Sequence, residues 1–168
     1  MTDVFKQVLT TPQVARWSHK GVECAIHYSP SRAFRNGYCV IPDGHPLEQS
    51  DDWNDPYGRE DLLDVHGGVT FGPKKVEGGH IVGFDTAHFG DYSAISNPQG
   101  HCWTIADLKA ETSYMAEQIA DAEAYHDLDA LAEAVGVLEP GAYSRERFVG
   151  PALGLGLFLA LQVGGFAA

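Results

Sequence analysis

The chain has 168 residues, of which 44% are hydrophobic and 20% are charged, a composition typical of one folded globular domain rather than of a disordered chain. Its 23 acidic and 11 basic residues give a net charge of -12, which argues against binding to a nucleic-acid backbone, because that affinity comes from Lys and Arg. Three cysteines without a C-x-x-C spacing (Cys24, Cys39 and Cys102) argue against a disulfide framework. The N-terminus lacks the basic start and the apolar run of a signal peptide. Together with the few cysteines, this favours a location in the cytoplasm of a host cell.

Two strands are predicted in the first quarter of the chain. Residues 21–29 alternate apolar side chains with other residues, which is the period of a half-buried strand. Residues 37–42 (GYCVIP) form a second short strand. A long acidic loop follows at residues 43–61, and a loop of that length in a compact domain is either functional or mobile.

Two further strands are predicted as a hairpin. They lie near residues 65–71 and 80–85 and are joined by the segment GPKKVEGG. If Phe71 pairs with His80, residues whose numbers sum to 151 lie opposite each other and share a face of the sheet. One face is then mostly apolar and faces the core, and the other carries polar residues and glycines.

The polar face of this hairpin is the candidate site. In the assumed register His66 lies directly across from Asp85, with their Cβ atoms ~5 Å apart. Gly68 lies across from Gly83, with Thr70 beside them, and such a floor without side chains lets a ligand approach the sheet closely. A register slip of one residue would destroy the arrangement.

The clearest helix is predicted from about Ile105 to Tyr125. Thr104 is a good N-cap, and Asp107 at the third helical position makes the start similar to a capping box. A second short helix is predicted over residues 127–135, ended by Gly136. Strands first and helices after indicate an α+β fold: a small antiparallel sheet covered on one face by the long helix, plus the short second helix.

Residues 1–145 are predicted to form this single domain, and residues 146–168 an apolar C-terminal tail. Residues 150–168 contain no charge, and as a helix they would span ~28 Å, just short of a hydrocarbon core of ~30 Å. Leucines at every second position from Leu153 to Leu161 instead have the period of a strand. Three interpretations stay open: a membrane tail, a buried terminal element and an oligomer contact.

After the hairpin, Asp85-x-x-His88-x-x-Asp91 can converge on one point in a loop. Asp and His are ligands of zinc and other divalent ions, and they also perform acid–base catalysis. One interpretation is a divalent metal such as zinc held by His66, Asp85, His88 and Asp91. A second is metal-free catalysis by His66 and Asp85, and a third is a structural hydrogen-bonded pair beside Asx turns.

Five segments between residues 17 and 123 share their pattern with a known family. They are Gly37-Tyr38, His45-Pro46, residues 65–70 (VHGGVT), residues 83–91 (GFDTAHFGD) and the helical segment 111–119. In them the chain resembles a family of small uncharacterised proteins of bacteriophages, prophages and some bacteria. It departs from the family at Thr86, where the family has Cys, and at residue 80, where the family has Trp. The resemblance implies a phage or prophage origin, no established activity and no role for any residue.

Two classes of function stay open. The first is a small hydrolase, metal-assisted or not, that uses the His66/Asp85 face. The second is a non-enzymatic acidic protein that binds or inhibits a host protein through its acidic surface, including Asp51, Asp52 and Asp55. Membrane contact through the tail and assembly into a homo-oligomer are the other expected partnerships.

Overall fold

The computed structural model of the protein describes residues 3–30, 33–54, 62–93 and 96–134. Five antiparallel strands form one sheet in the order β1-β2-β3-β5-β4, and one long helix covers one of its faces. The predicted α+β class is confirmed. The elements are β1 (Gln13–His19), β2 (Val22–Ser29), β3 (Phe34–Pro42), β4 (Phe71–Val76), β5 (Gly79–Asp85), α1 (Ile105–Ala134) and the short 3-10 helices Val4–Gln7, Pro46–Gln49 and Asp51–Asn54.

Helix α1 begins with the predicted cap. The Asp107 amide donates to Thr104 Oγ1 at 3.1 Å, and the Thr104 amide donates to Asp107 Oδ2 at 2.9 Å, which makes a reciprocal capping box. The structure has one continuous helix to Ala134 where the sequence predicts a second helix after about Tyr125. Residues 124–134 (AYHDLDALAEA) are rich in Ala and Leu, which are strong helix formers, so nothing in that segment breaks the helix. Gly136 lies outside the described residues.

The sheet is covered on both faces, which corrects the predicted single covered face. Beneath α1 lies the larger core, built from alternate residues of β2, β3 and β5 with the buried face of the helix: Val22, Cys24, Ile26, Cys39, Ile41, Val82, Phe84, Leu108, Met115, Ala116 and Ile119. On the opposite face Phe5 and Leu9, from the N-terminal segment, pack against Ala25, Tyr38 and Ile81. The N-terminal cover escaped prediction because its short 3-10 helix shows no long apolar period.

The predicted register of the β4–β5 hairpin is wrong. Phe71 pairs with Gly83, not with His80, and an irregularity lies between Phe71 and Lys74. Strand β4 therefore includes the segment GPKKV, which the sequence had indicated as a connection. A strand containing Pro73 is tolerated here because β4 is at the edge of the sheet, where a missing amide breaks no ladder on the outer side.

The register error removes the predicted opposition of His66 and Asp85. Residues 64–70 form turns and irregular backbone ahead of β4, so neither His66 nor Gly68 lies in a strand. A backbone hydrogen bond joins this segment to β5, because the Thr70 amide donates to the Gly83 carbonyl at 3.0 Å.

In the part of the chain described here, no helix combines the length and the hydropathy needed to cross a membrane. The predicted tail, residues 146–168, lies outside the described residues.

Candidate functional site

The structure pairs His66 with Asp91 rather than with Asp85. His66 Nε2 and Asp91 Oδ2 are 2.8 Å apart. The amide of His66 donates to Glu111 Oε1 of α1 at 2.7 Å, which fixes the irregular segment against the helix. Asp91 lies in the loop after β5 and forms an isolated parallel β-bridge with His101. The predicted convergence of these loops is therefore present, with a different carboxylate facing His66.

Asp91 is 5% exposed, and its carboxylate accepts three hydrogen bonds. Oδ2 accepts from His66 Nε2 and from the His88 amide, both at 2.8 Å, and Oδ1 accepts from Trp103 Nε1 at 2.8 Å. Burial acts to raise the pKa of Asp91, but the hydrogen bonds from His66, Trp103 and the His88 amide outweigh it and hold the pKa below its usual value of 3.8. Because an ionised carboxylate only accepts, His66 Nε2 donates, which leaves the lone pair of the neutral imidazole on Nδ1.

Aromatic rings enclose the His66 imidazole. The Trp103 ring centroid lies 4.6 Å from that of His66, and the His88 ring packs edge-on at 5.2 Å. Trp103 contacts both His66 and Asp91, and it was not among the candidate site residues predicted from the sequence. Its only sequence signal is its place directly before the Thr104 cap, in the same short segment as His101, whose ring contacts Trp103 at 5.2 Å.

His88 faces Asp85, but the two are not hydrogen-bonded. His88 Nε2 lies 3.6 Å from Asp85 Oδ1, which instead accepts from the Ala87 amide at 3.0 Å. His88 Nε2 is buried and has no hydrogen-bond partner among the described residues. The ring packs directly over Gly67, where φ is +68° and where a Cβ would overlap the imidazole. Only glycine suits that position, because it accepts both the backbone conformation and the close ring.

A cleft of about 230 Å³ opens beside Asp85 on the sheet face opposite α1. Of the predicted ligand floor, Thr70 lines this cleft. Gly83 does not form an open floor, because a Cβ there would overlap the Tyr38 ring, and Gly68 lies in a turn with φ of +76°. The lining residues are Ser29, Phe34, Asn36, Thr70, Phe71, Phe84 and Asp85.

The four residues predicted to bind a metal do not form a tight ligand set. Within the described residues, the group whose ligand atoms all lie within 4.8 Å of one another is Asp43, Glu48 and His80, at the other end of the sheet. Lys75 forms ion pairs with Asp43 and Glu48, so one ammonium group offsets part of the negative charge of this cluster. The zinc site on the hairpin residues stays a prediction.

His45 and the cysteines Cys24 and Cys39 have structural roles. His45 Nε2 donates to the Ile119 carbonyl at 2.9 Å and its Nδ1 accepts from the Leu47 amide at 3.1 Å, so both nitrogens are occupied. Cys24 and Cys39 are adjacent in the core, with their Sγ atoms 3.7 Å apart. Burial raises the pKa of Cys39 well above its usual value, which keeps that thiol protonated and unreactive.

Comparison of the chain with protein-family models, with curated proteins and with solved structures gives no match. The site is therefore interpreted from its own chemistry, in which a buried carboxylate orients one imidazole beside a second imidazole and an open cleft.

Proposed function

We propose that the protein is a small hydrolase in which His66 is the general base and Asp91 is its positioning carboxylate. The observation that carries the proposal is the burial of Asp91 with three donors, one of which is the His66 ring. A buried carboxylate is unfavourable unless it is fully hydrogen-bonded, and this one is aligned so that it fixes both the tautomer and the orientation of an imidazole.

The roles follow from the tautomer. Nδ1 of His66 takes a proton from an attacking water, and the imidazolium that forms is stabilised by Asp91 through Nε2. The same proton then passes to the leaving group. The cleft beside Asp85 offers a place for the substrate, and it is linked to His66 through His88, which lies 3.6 Å from Asp85 and in ring contact with His66.

The test uses the full chain with a panel of chromogenic esters, phosphate esters, glycosides and peptide amides. The wild type should hydrolyse at least one class, and Asp91→Asn should lower kcat by roughly 10²- to 10⁴-fold, because the imidazole loses its orienting charge. Since Asp91 acts through His66, nitrogen-15 NMR of the ring should show loss of the Nε2–H tautomer in the variant. A rate loss without that tautomer change would indicate a merely structural carboxylate.

A metal-assisted form of the reaction is the second arm of this proposal. Elemental analysis of the purified protein, with activity measured after chelation and after addition of Zn²⁺, separates it from the metal-free form. If activity depends on zinc, His66→Gln and His88→Gln should each lower the bound zinc. If the zinc content is unchanged, the metal lies elsewhere, and Asp43, Glu48 and His80 are the group to substitute next.

The alternative function is a non-enzymatic acidic binding protein, favoured by one feature of α1. Tyr114 is exposed, and its pKa is raised by partial burial and by the neighbouring carboxylates Asp64, Glu111 and Glu117. An exposed aromatic among acids suits a basic partner protein. A purified basic host protein that binds the chain should lose affinity when Tyr114→Ala is combined with Glu117→Lys, while Lys109→Ala should not weaken it. The phage or prophage origin that the sequence resemblance implies is also part of this proposal.

A further inference from the structure

Three polar residues form a row on the sheet face opposite α1. His27 pairs directly with Asn36 in the β2–β3 register, and Asn36 pairs directly with Asp85 in the β3–β5 register. Directly paired residues share a face, so the three side chains lie side by side across three strands. The proposed hydrolase mechanism gives His27 and Asn36 no role in the proton transfers, although Asn36 lines the cleft in which it places the substrate.

Every member of the row presents a hydrogen-bond acceptor. His27 Nδ1 donates to the Thr11 carbonyl at 2.8 Å, so the lone pair lies on Nε2, which is buried and without a partner among the described residues. Asn36 Nδ2 donates to the Tyr38 hydroxyl at 2.8 Å, and its Oδ1 is likewise buried and without a partner in that part of the chain. Asp85 adds a carboxylate. Buried acceptors without donors are unfavourable, and Asn36 and Asp85 of this row line a cleft, so a ligand there that supplies donors is favoured.

The cleft beside the row has the shape and lining for such a ligand. Asn36 and Asp85 both line it, together with the aromatic residues Phe34 and Phe71. Among its described lining residues there is no Lys or Arg, so the Asp85 charge is not neutralised from within the cleft. His88 Nε2 lies 3.6 Å from Asp85 Oδ1, beyond hydrogen-bond distance, and it is an ion-pair partner of Asp85 only when the imidazole is protonated.

We propose that this cleft binds a small organic ammonium ion. Asp85 is the counter-ion, Asn36 Oδ1 accepts a second ammonium proton, and the rings of Phe34 and Phe71 contact the apolar part of the ligand. An ammonium group has three donors and no acceptor, which complements a site made of acceptors, and aromatic walls also attract a cation. This inference goes beyond the hydrolase proposal, because binding is measured without turnover.

The first test compares three ligands of one shape: benzylammonium, benzyl alcohol and benzoate. Each is titrated into the nitrogen-15-labelled full chain at neutral pH and followed by NMR. Benzylammonium should bind at least about tenfold tighter than benzyl alcohol, with shifts at the amides of Phe34, Thr70 and Phe71, and benzoate should bind most weakly. Equal affinity for the amine and the alcohol, tighter binding of benzoate, or no binding of benzylammonium would overturn the proposal.

A matched pair of variants locates the charge that matters. In Asp85→Asn the side-chain oxygen still accepts from the Ala87 amide, so the turn is kept while the charge is removed. Its preference for benzylammonium over benzyl alcohol should fall to within about twofold. Asp121→Asn makes the same charge change on the exposed surface of α1, next to Lys20, and should leave the preference intact. An equal loss in both variants would mean that only overall charge attracts the amine.

Discussion

Asp91 accepts hydrogen bonds from three segments of the chain, one of which is its own loop. His66 comes from the irregular segment before β4, the His88 amide from the loop after β5, and Trp103 from the residues before α1. One carboxylate thus joins the two loops and the start of the helix while it orients the imidazole. The contacts on which the proposed catalysis depends also stabilise the fold, so Asp91 variants need a stability measurement beside any activity measurement.

Asp91→Asn is expected to lower the free energy of unfolding by about 2–3 kcal/mol. The asparagine Nδ2 would face at least one of the three N–H donors, which leaves buried donors unsatisfied. Urea unfolding followed by circular dichroism measures the change. Asp121→Asn, whose exposed pair with Lys20 is worth little, should change stability by less than ~0.5 kcal/mol. Equally small changes in the free energy of unfolding of both variants would show that the hydrogen bonds to Asp91 contribute little to stability.

His27 makes the fold sensitive to acid. It is 1% exposed, and burial lowers its pKa from the usual 6.5, partly offset by the hydrogen bond with the Thr11 carbonyl and by the charge of Asp3. Below pH 6.5 the unfolded chain therefore binds a proton at His27 that the folded chain does not bind. The free energy of unfolding is not reduced by His27 above pH 6.5, and it falls as the pH drops below that value.

We expect urea midpoints to decrease from about pH 7.5 to about pH 5.5, and this decrease to be smaller in His27→Phe. Phenylalanine keeps the ring contacts with Phe5 and Tyr38 but has no proton to bind. The comparison is between the two slopes, so a general loss of stability in the variant does not affect it. A variant slope equal to that of the wild type would assign the acid sensitivity to other groups.

Gly67→Ala tests the packing of the second imidazole. Gly67 and Gly44 both have positive φ, +68° and +79°, but only at Gly67 would a Cβ meet another group, the His88 ring. Both substitutions should lose about 1 kcal/mol from backbone strain, and Gly67→Ala should lose roughly a further 1–2 kcal/mol as His88 is displaced. Urea unfolding and the His88 ring signals in NMR measure this. Equal losses in the two variants would show that His88 does not pack on Gly67.

At the scale of elements, the start of α1 was the most predictable feature, because a capping box is encoded within four consecutive residues. Thr104→Ala should destabilise the protein by about 1 kcal/mol, since it removes the side-chain acceptor of the Asp107 amide. Thr104→Ser keeps the hydroxyl and should recover most of the loss. Thermal unfolding monitored at the helix signal checks both variants, and an unchanged midpoint in Thr104→Ala would exclude the box as a stabilising element.

The hairpin register was not predictable in the same way. Its turn is Glu77-Gly78, and β4 contains Pro73, a residue whose presence argues for a connection unless the strand is at an edge. Edge position depends on the order of all five strands, which the local sequence does not encode. The predicted opposition of His66 and Asp85 depended on that register. In the structure His66 is hydrogen-bonded to Asp91, and Asp85 lies 3.6 Å from His88.

For the candidate site, the loop spacing predicted more than the strand pairing did. Residues three apart in Asp85-x-x-His88-x-x-Asp91 do lie together, because the tight turns of the loop depend only on local sequence. Trp103 and Asn36 could not be placed, since each reaches its partners through long-range packing. The Asn36 row exists only because β3 pairs with both β2 and β5.

For the whole molecule, the segment from Leu63 to Thr70 joins the two faces of the sheet. Leu63 and Val65 pack in the core beneath α1, whereas Thr70 lines the cleft on the opposite face. His66 belongs to this segment and is held by Glu111 of α1 and by Asp91 of the loop after β5. This arrangement connects the His66 imidazole to the cleft through His88 and Asp85, and Asp85 is the counter-ion of the proposed ammonium site.

The central claim is that the His66 imidazole is the reacting group. The most direct measurement is the rate of hydrolysis by His66→Gln with whichever substrate of the panel the wild type hydrolyses. His19→Gln is the matched control. His19 is also an imidazole paired with a carboxylate, that of Glu117 in α1, and it does not belong to the candidate site. We predict a loss of at least about 100-fold in His66→Gln and an unchanged rate in His19→Gln. Retention of the wild-type rate by folded His66→Gln, or no hydrolysis of any class by the wild type, would contradict the account.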